Sequence, residues 1–142
     1  MEIQTANKHK ESVVALLKAE KLLVDDLPEN LYNFVIALDG NEVIGVAGLE
    51  VYGDCGLLRS VAVTSGYRNK GIAAKLLSQI EQMASANGLK TIYLFTETAP
   101  NYFQLKGYSR IAREEAPKSL HASSEFSYAC PQSAIVMKKT LE

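Results

Sequence analysis

A polar turn containing one glycine joins an apolar stretch to a long amphipathic stretch, and it reads Arg-Asn-Lys-Gly-Ile-Ala over residues 68–73. The start of a helix leaves several backbone N–H groups without intrahelical partners and carries a partial positive charge. A glycine in the preceding turn lets the backbone approach a ligand closely. The pattern therefore predicts a binding site for an anion such as phosphate. Taken alone, the turn is equally compatible with a nucleotide, a sulfate or no ligand.

Two common phosphate-binding motifs are absent from the chain. No GxxxxGK[ST] sequence is present, which excludes a P-loop, and no GxGxxG, which excludes the dinucleotide fingerprint. The formal net charge is -1, so no overall field would attract nucleic acid or an anionic membrane. An anion must therefore be held by a local arrangement of groups.

A second residue that could take part in binding or catalysis is Arg59, a charged residue in the otherwise apolar stretch 56–63. A buried guanidinium requires a carboxylate partner or an anionic ligand. We expect Arg59, with its neighbour Ser60, to contact a carboxylate or phosphonate-like group of a substrate. The alternative is a structural ion pair with Glu50 or Glu97.

The elements that would position these residues follow from the apolar pattern. Residues 56–63 predict a buried strand, and apolar residues recur at helical spacing from Ile72 to a stop at Asn87-Gly88. Before them, the pattern predicts an amphipathic helix over 7–23 and a hairpin with strands at 33–38 and 42–52. Two glycines in the second hairpin strand, Gly45 and Gly48, indicate a bulge or a close backbone approach.

The remaining segments are shorter. Residues 25–28 suit a turn or a short second helix, and the polar stretch 114–132 predicts a long functional or mobile loop. Strands are predicted at 91–95, 107–111 and 133–138, with a short helix at 99–106. The second half of the chain thus alternates strands with helices.

Length and composition favour one soluble globular domain over residues 1–142, since 47% of the residues are hydrophobic and 22% charged. No apolar run approaches the roughly 20 residues that span a bilayer, and the first residues lack signal-peptide regions, so a cytoplasmic location is expected. The two cysteines, Cys55 and Cys130, form no CxxC pair and are expected to be reduced thiols. With only His9 and His121 as histidines, no metal site is predicted.

Two motifs resemble those of the GNAT acetyltransferases. Arg68, Gly71 and Ala73 match the acetyl-CoA motif R/Q-x-x-G-x-G/A, preceded by Val-Ala-Val at 61–63. Residues 99–108, APNYFQLKGY, resemble the family's A-x-x-F-Y-x-x-x-G-F. Both motifs occur in the order and spacing of the family, which is more specific than either alone.

The resemblance covers nearly the whole chain and implies an α/β (α+β) GNAT fold, a mixed, splayed β-sheet flanked by helices in the order β1, α1, α2, β2, β3, β4, α3, β5, α4, β6, β7. It implies acetyl-CoA as co-substrate, direct attack by the acceptor amine, and a possible homodimer. The implied acetyl-CoA contacts are backbone pairing with the pantetheine arm, N–H groups around the pyrophosphate and residues of the second motif. These residues are Val61, Ala62, Val63, Arg68, Asn69, Lys70, Gly71, Ile72, Ala73, Asn101 and Phe103.

A narrower resemblance is to the ArsN-type arsenic-resistance acetyltransferases. It rests on LLRSVAV at 57–63, LFTETA at 94–99, and the tail with Ser-Glu-Phe at 124–126 and Cys-Pro-Gln-Ser-Ala at 130–134. That subgroup acetylates the α-amine of glutamate-like antimetabolites such as arsinothricin and phosphinothricin. The resemblance therefore implies a small amino-acid-like acceptor.

Acetyl transfer needs a neutral amine, a polarised thioester carbonyl and a proton for the thiolate. Many GNAT enzymes take that proton from the tyrosine of the F-Y pair, whereas the order here is Tyr102 then Phe103. Tyr102, solvent or another hydroxyl is then the candidate acid. Glu97 and Glu50 are candidates to receive the ammonium or its proton. The alternatives to small-molecule acetylation are acetylation of a protein or peptide and a non-catalytic CoA-binding sensor.

Overall fold

The computed structural model describes residues 1–122 and 134–141. Its α-helices are α1 (Lys10–Ala19), α2 (Ile72–Ala86) and α3 (Pro100–Leu105), and short 3-10 helices occur at Ser65–Tyr67, Arg113–Glu115 and Lys118–Ala122. The strands are β1 (Glu2–Thr5), β2 (Phe34–Asp39), β3 (Glu42–Tyr52), β4 (Cys55–Val63), β5 (Thr91–Thr96), β6 (Ser109–Ile111) and β7 (Ile135–Thr140).

The seven strands form one sheet in the order β1-β2-β3-β4-β5-β7-β6. The pairing of β4 with β5 is parallel, whereas β1–β2, β2–β3, β5–β7 and β6–β7 are antiparallel. This arrangement confirms the predicted mixed sheet. In the part of the chain that the structure describes, no helix is both long and apolar enough to cross a membrane.

Of the two alternatives predicted for residues 25–28, the turn is confirmed and the short second helix is wrong. Between Ala19 and Phe34, a fully described stretch, no helix forms. The N–H of Leu27 closes a turn onto the carbonyl of Val24 at 3.2 Å. The Lys10 ammonium donates hydrogen bonds to the carbonyls of Pro28 and Glu29, at 2.8 and 3.1 Å. Proline lacks an N–H donor and the residue before it avoids helical dihedrals, so this segment cannot propagate a helix.

The first helix is also shorter than its apolar pattern suggested. Lys21 has a φ of 62°, and the N–H of Leu22 reaches back to the carbonyl of Leu17 at 2.9 Å. That is the hydrogen bond of a left-handed helix cap, which ends α1 at Ala19 although apolar residues continue. The amphipathic pattern therefore located the helix, and the local backbone set its end.

The chain forms two compact units, and a single domain over 1–142 stays a prediction. The first unit contains Met1–Leu49 and Ser60–Met83, and the second Glu50–Arg59 and Ala84–Glu142. In the first unit, α1 packs against one face of β2, where Phe34, Ile36 and Leu38 share the core with α1 residues.

Helix α2 approaches the sheet of the first unit at Gly45. A Cβ there would lie 3.0 Å from Leu76 Cδ1 and 3.3 Å from Ile72 Cγ2. The β2–β3 register also shifts between Ala37 and Leu38, beside Gly45. Both observations confirm the bulge and close approach that the glycines predicted. Gly45 thereby allows the first turn of α2 to lie close to the sheet.

In the second unit, β7 lies between β5 and β6 and pairs with both. One face of this sheet carries a core cluster that the 3-10 helices after β6 help to cover. The cluster contains Cys55, Leu57, Tyr93, Ala116, Leu120 and Val136, with Tyr52, Phe95 and Ile111 packed against it. This core holds the first residues of β4, including the segment that leads to Arg59.

Candidate active site

The predicted anion-binding site lies in the first unit, in the turn before α2. Asn69 and Gly71 have left-handed φ values of 63° and 77°. The N–H of Lys75 bonds the carbonyl of Gly71 at 3.2 Å, so the amides of residues 72–74 precede the first intrahelical bond of α2. The first turn of α2 contains no acidic residue. Its amide groups and positive helix end are therefore not satisfied by a carboxylate of that turn.

Alternating left-handed residues direct successive backbone N–H groups toward one side of a turn, which creates an anion-binding concavity. Asn69, Lys70 and Gly71 are exposed, whereas Ile72 is 4% exposed. The buried isoleucine anchors the helix, and the exposed residues leave the turn open. The local geometry thus fits the phosphate groups of a nucleotide-like ligand.

Arg68 anchors this turn. Its Nε donates to the carbonyl of Val63 at 3.2 Å, and its Nη2 pairs with a carboxylate oxygen of Glu20, next to the end of α1. Half of the Arg68 side chain remains exposed. The structure therefore gives this guanidinium two partners within the protein.

Tyr67 makes a second connection from the same turn. Its hydroxyl donates to Asp39 Oδ2 at 2.5 Å, and the Lys70 ammonium lies 5.5 Å from the centre of its ring. The hydrogen bond to the carboxylate is the main cause that raises the pKa of Tyr67. The turn is consequently tied both to the end of β2 and to α1.

The strand before the turn is irregular at Ser60. This buried residue has a φ of 57°, a left-handed value inside β4. Such a conformation costs about 1–2 kcal/mol for a residue with a Cβ, and strained residues concentrate at functional sites. After Ser60, Ala62 is buried, whereas Val61 and Val63 are partly exposed. The partly exposed valines are the ones whose backbone was predicted to pair with a pantetheine arm.

Arg59 and Glu50 form an ion pair in the second unit. Arg59 Nη1 lies 2.6 Å from Glu50 Oε2, and the Arg59 side chain is 1% exposed. The other carboxylate oxygen, Glu50 Oε1, accepts a hydrogen bond from the Tyr52 hydroxyl. Of the predicted substrate residues, the structure thus brings Arg59 and Glu50 into contact. The predicted contact of Arg59 and Ser60 with a substrate stays a prediction.

Tyr52 was missed by the sequence interpretation. Glu50 and Tyr52 are two residues apart in β3, so their side chains share one face of the strand. This alternation was available in the sequence. It carried little weight because an aromatic residue near a strand end is most often a core residue.

Helix α3 carries the remaining predicted site residues. The Thr96 hydroxyl accepts a hydrogen bond from the Ala99 N–H at 3.1 Å and so fixes the entry to the helix. Glu97 lies exposed in that entry, and Asn101 is exposed on the first turn. Phe103 packs edge-on against Tyr102 and Tyr108, with ring centres 5.3 and 5.9 Å apart.

The Tyr102 hydroxyl is buried and has no hydrogen-bond partner among the described residues. Burial raises the pKa of Tyr102, so the phenol keeps its proton at neutral pH. An unsatisfied buried hydroxyl costs about 1–3 kcal/mol, and such groups in native proteins usually have a functional reason. A ligand group would supply the missing acceptor.

Several sequence predictions fall outside what the structure describes. Cys130 and all of the tail motif except Ala134 lie within 123–133, and the side chain of His121 is not described. Cys55 has a free, buried thiol whose pKa is raised by burial. Among the described residues, no three His, Cys, Asp or Glu side chains are grouped as a metal site requires.

Comparisons with known proteins agree with this geometry. The model of the acetyltransferase (GNAT) family matches residues 4–110. An amino-acid acetyltransferase of Ectopseudomonas mendocina is 38% identical over 64 residues, which are 45% of this chain and 15% of that protein. An uncharacterized N-acetyltransferase of Chlorobaculum tepidum is 29% identical over 101 residues, which are 70% of this chain and 64% of the relative.

A solved structure shows the same fold. N-acetylglutamate synthase of Neisseria gonorrhoeae, complexed with coenzyme A and N-acetyl-glutamate, superimposes with a TM-score of 0.84 at 18% identity. The alignment covers 99% of this chain and 35% of the synthase. The chain thus spans only part of the length of these relatives.

Proposed function

Because the chain belongs to the acetyltransferase (GNAT) family, we propose that it transfers the acetyl group of acetyl-CoA to the amine of a small molecule. The observation that carries this proposal is the turn before α2. Its left-handed residues at 69 and 71 and the acid-free first turn of the helix provide backbone donors for a pyrophosphate.

In this proposal, the N–H groups of residues 69–73 hold the pyrophosphate. Arg68 fixes the turn, and its half-exposed side chain contributes to the same ligand contacts. The backbone of Val61, Ala62 and Val63 pairs with the pantetheine arm. The Val63 carbonyl already accepts a bond from Arg68. We therefore assign the pairing chiefly to the Val63 N–H and to Val61. Asn101 and Phe103 of α3 complete the predicted acetyl-CoA contacts.

The acceptor is proposed to be the amine of an amino acid or of an amino-acid-like antimetabolite. Support comes from the amino-acid acetyltransferase relative and from the synthase that was solved with N-acetyl-glutamate. The resemblance of LLRSVAV and LFTETA to the ArsN-type enzymes narrows the proposal to glutamate-like acceptors. The ion-paired Arg59 and Glu50, with the strained Ser60 beside them, supply the polar groups of the acceptor site.

Acetyl-CoA supplies an acetyl group on a thioester, which a neutral amine attacks directly. Tyr102 is proposed to donate its proton to the departing thiolate, because its hydroxyl is buried and protonated and has no acceptor among the residues that the structure describes. Glu97, which is exposed at the entry to α3, and Glu50 are the two candidates to pass the amine proton to water. These roles require no covalent acyl-enzyme and leave Cys55 as a core residue.

The proposal is tested by measuring CoA thiol release from acetyl-CoA with purified protein. Acceptors should include glutamate, phosphinothricin, arsinothricin, an aminoglycoside, a polyamine and a peptide mixture. We expect selective turnover of the glutamate-like amines. Turnover only with peptides would favour a protein acetyltransferase. Binding of acetyl-CoA without release of thiol for any acceptor would indicate a CoA-binding sensor, and either result would overturn the proposal.

A further inference from the structure

The carboxylate of Glu50 has a separate protein donor on each oxygen. Arg59 Nη1 donates to Oε2 at 2.6 Å, and the Tyr52 hydroxyl donates to Oε1. All three residues belong to the second unit. Two donors on different oxygens fix both the position and the plane of a carboxylate, whereas one donor leaves it free to rotate. Glu50 is therefore held in one orientation.

Exposure differs between the two members of the ion pair. The Arg59 side chain is 1% exposed, whereas the Glu50 side chain is 17% exposed. The guanidinium is enclosed, and the carboxylate is the member that a ligand can reach. A carboxylate has about four lone-pair sites, of which Arg59 and Tyr52 occupy one on each oxygen. Acceptor sites thus remain on an oriented and accessible anion.

Tyr52 is itself held in place by the core of the second unit. Its ring packs against the cluster that contains Leu57 and Tyr93, and its carbonyl accepts a bond from Cys55 Sγ at 3.3 Å. Its hydroxyl is thereby aimed by a rigid element. In contrast, Val51 between Tyr52 and Glu50 is 46% exposed on the opposite face of β3. The alternation of side chains along β3 thus places the Glu50 carboxylate and the Tyr52 hydroxyl on the core-facing side of the strand end.

We propose that Glu50 accepts the proton of the acceptor ammonium, and that Tyr52 and Arg59 are positioning residues that orient it. This inference rests on the proposed acetyl transfer. The ammonium gives one proton to Glu50, which passes it to water, and the neutral amine forms the C–N bond as the C–S bond breaks. A second amine proton leaves with the collapse of the adduct, and the thiolate gains one to become CoA–SH.

The assignment changes the expected role of Arg59. The enclosed guanidinium donates from Nη1 to Glu50 and so fixes the position of that carboxylate. Specificity for an amine then arises at Glu50, and Arg59 acts through it. Glu97 remains the competing proton acceptor, and the experiment distinguishes the two.

The first test is Tyr52→Phe, which removes one donor and preserves the ring that packs in the core. We expect kcat to fall by about 10-fold, with the KM for acetyl-CoA unchanged, since general-base catalysis depends on orientation. The matched control is Tyr32→Phe, a tyrosine that is 60% exposed. Equal kcat in the wild type and Tyr52→Phe would overturn the positioning role of Tyr52.

The second test separates folding from chemistry. Glu50→Gln removes the carboxylate that pairs with the enclosed Arg59, so it should lose stability as well as about 100-fold in kcat at neutral pH. The double variant Glu50→Gln/Arg59→Met removes both charges of the pair and should recover part of the lost thermal midpoint without recovering kcat. Recovery of kcat together with the fold would assign the pair a structural role only and overturn the inference.

Two further measurements complete the test. The loss of kcat in the double variant, relative to the wild type, should become smaller at alkaline pH. There the acceptor amine is deprotonated without the help of a base. Calorimetric titration of the acceptor onto protein saturated with CoA should show binding by the wild type that is weakened in the double variant. A Glu97→Gln variant that alone shows the alkaline recovery would overturn the choice of Glu50.

Failure of this inference and failure of the proposed function give different results. If the wild type releases no CoA with any acceptor, both are overturned. If the wild type releases CoA and the Glu50, Tyr52 and Arg59 variants do so equally well, only the assignment of the proton acceptor is overturned.

Discussion

Phe34 lies directly opposite Gly48 in the β2–β3 ladder, and its ring fills the space that a side chain at position 48 would need. A Cβ on Gly48 would lie 2.3 Å from Phe34 Cε2. Gly48→Ala should therefore lower the free energy of unfolding by about 2 kcal/mol through overpacking. Urea denaturation measures this change.

The matched control is Gly66→Ala, because a Cβ there meets nothing within 4 Å. It should change the free energy of unfolding by less than about 0.5 kcal/mol. The double variant Gly48→Ala/Phe34→Leu should regain part of the loss. Equal stability of the two alanine variants would contradict the close contact.

Tyr102→Phe should stabilise the protein while slowing the reaction. The Tyr102 hydroxyl is buried with no partner in the described part of the chain, so its removal relieves a desolvation cost of about 1 kcal/mol. The substitution also removes the proposed proton donor. The thermal midpoint and the rate of CoA release should thus move in opposite directions. A variant that is less stable and equally active would refute both parts of the assignment.

The same residue predicts a pH dependence of stability. Burial raises the folded pKa of Tyr102 above its unfolded value of about 10. The stability that the neutral phenol contributes to the folded state is therefore fully present below about pH 10, and it is lost as the pH rises through the folded pKa. Between about pH 9 and 11, the thermal midpoint of Tyr102→Phe should fall less than that of the wild type. Tyr32→Phe should follow the wild type.

Asn69→Ala should weaken CoA binding. Asn69 has a φ of 63°, which asparagine tolerates and which costs alanine about 1–2 kcal/mol. We expect the Kd measured by calorimetry to rise by about fivefold. Asn69→Gly is the matched control, because glycine adopts this conformation without strain and should keep the wild-type Kd. Equal Kd values for the two variants would show that the turn geometry does not set affinity.

Glu20→Gln tests the anchor of the turn. The pair with Arg68 is half exposed on the arginine side, so its loss should cost no more than about 1 kcal/mol. Salt screens such pairs, and the difference from the wild type should vanish near about 1 M NaCl. Chemical denaturation at two salt concentrations measures this effect, and a difference that persists in high salt would indicate another origin.

The sequence predicted helices and turns correctly where the local pattern of glycines and apolar residues was strong. The glycine turn and the apolar repeat located α2 at Ile72, and the turn at Asn87-Gly88 ended it, with Gly88 at a φ of 79°. For residues 25–28 the proline favoured the turn over the helix, and the backbone there is further held by Lys10, a residue 18 positions before Pro28. No local pattern encodes that second contact.

The site was predicted less completely than the fold. The charge of Arg59 in an apolar strand indicated a partner, and the pairing of the strands supplies Glu50 as one such partner. The hairpin turn at Gly53, with a φ of 63°, brings β3 and β4 together so that Glu50 reaches Arg59. The left-handed backbone at Ser60 had no compositional signal, because serine is not enriched in that conformation.

Strand β7 has a consequence for biosynthesis. It is synthesised after β5 and β6, yet it lies between them in the sheet. Until residue 140 has emerged, the nascent β5 and β6 lack their common neighbour and expose unpaired edges. A pause in translation over the long segment before β7 would prolong that state, in which chaperones protect growing chains from misassociation. The order of synthesis therefore makes β7 the strand that closes the sheet between β5 and β6.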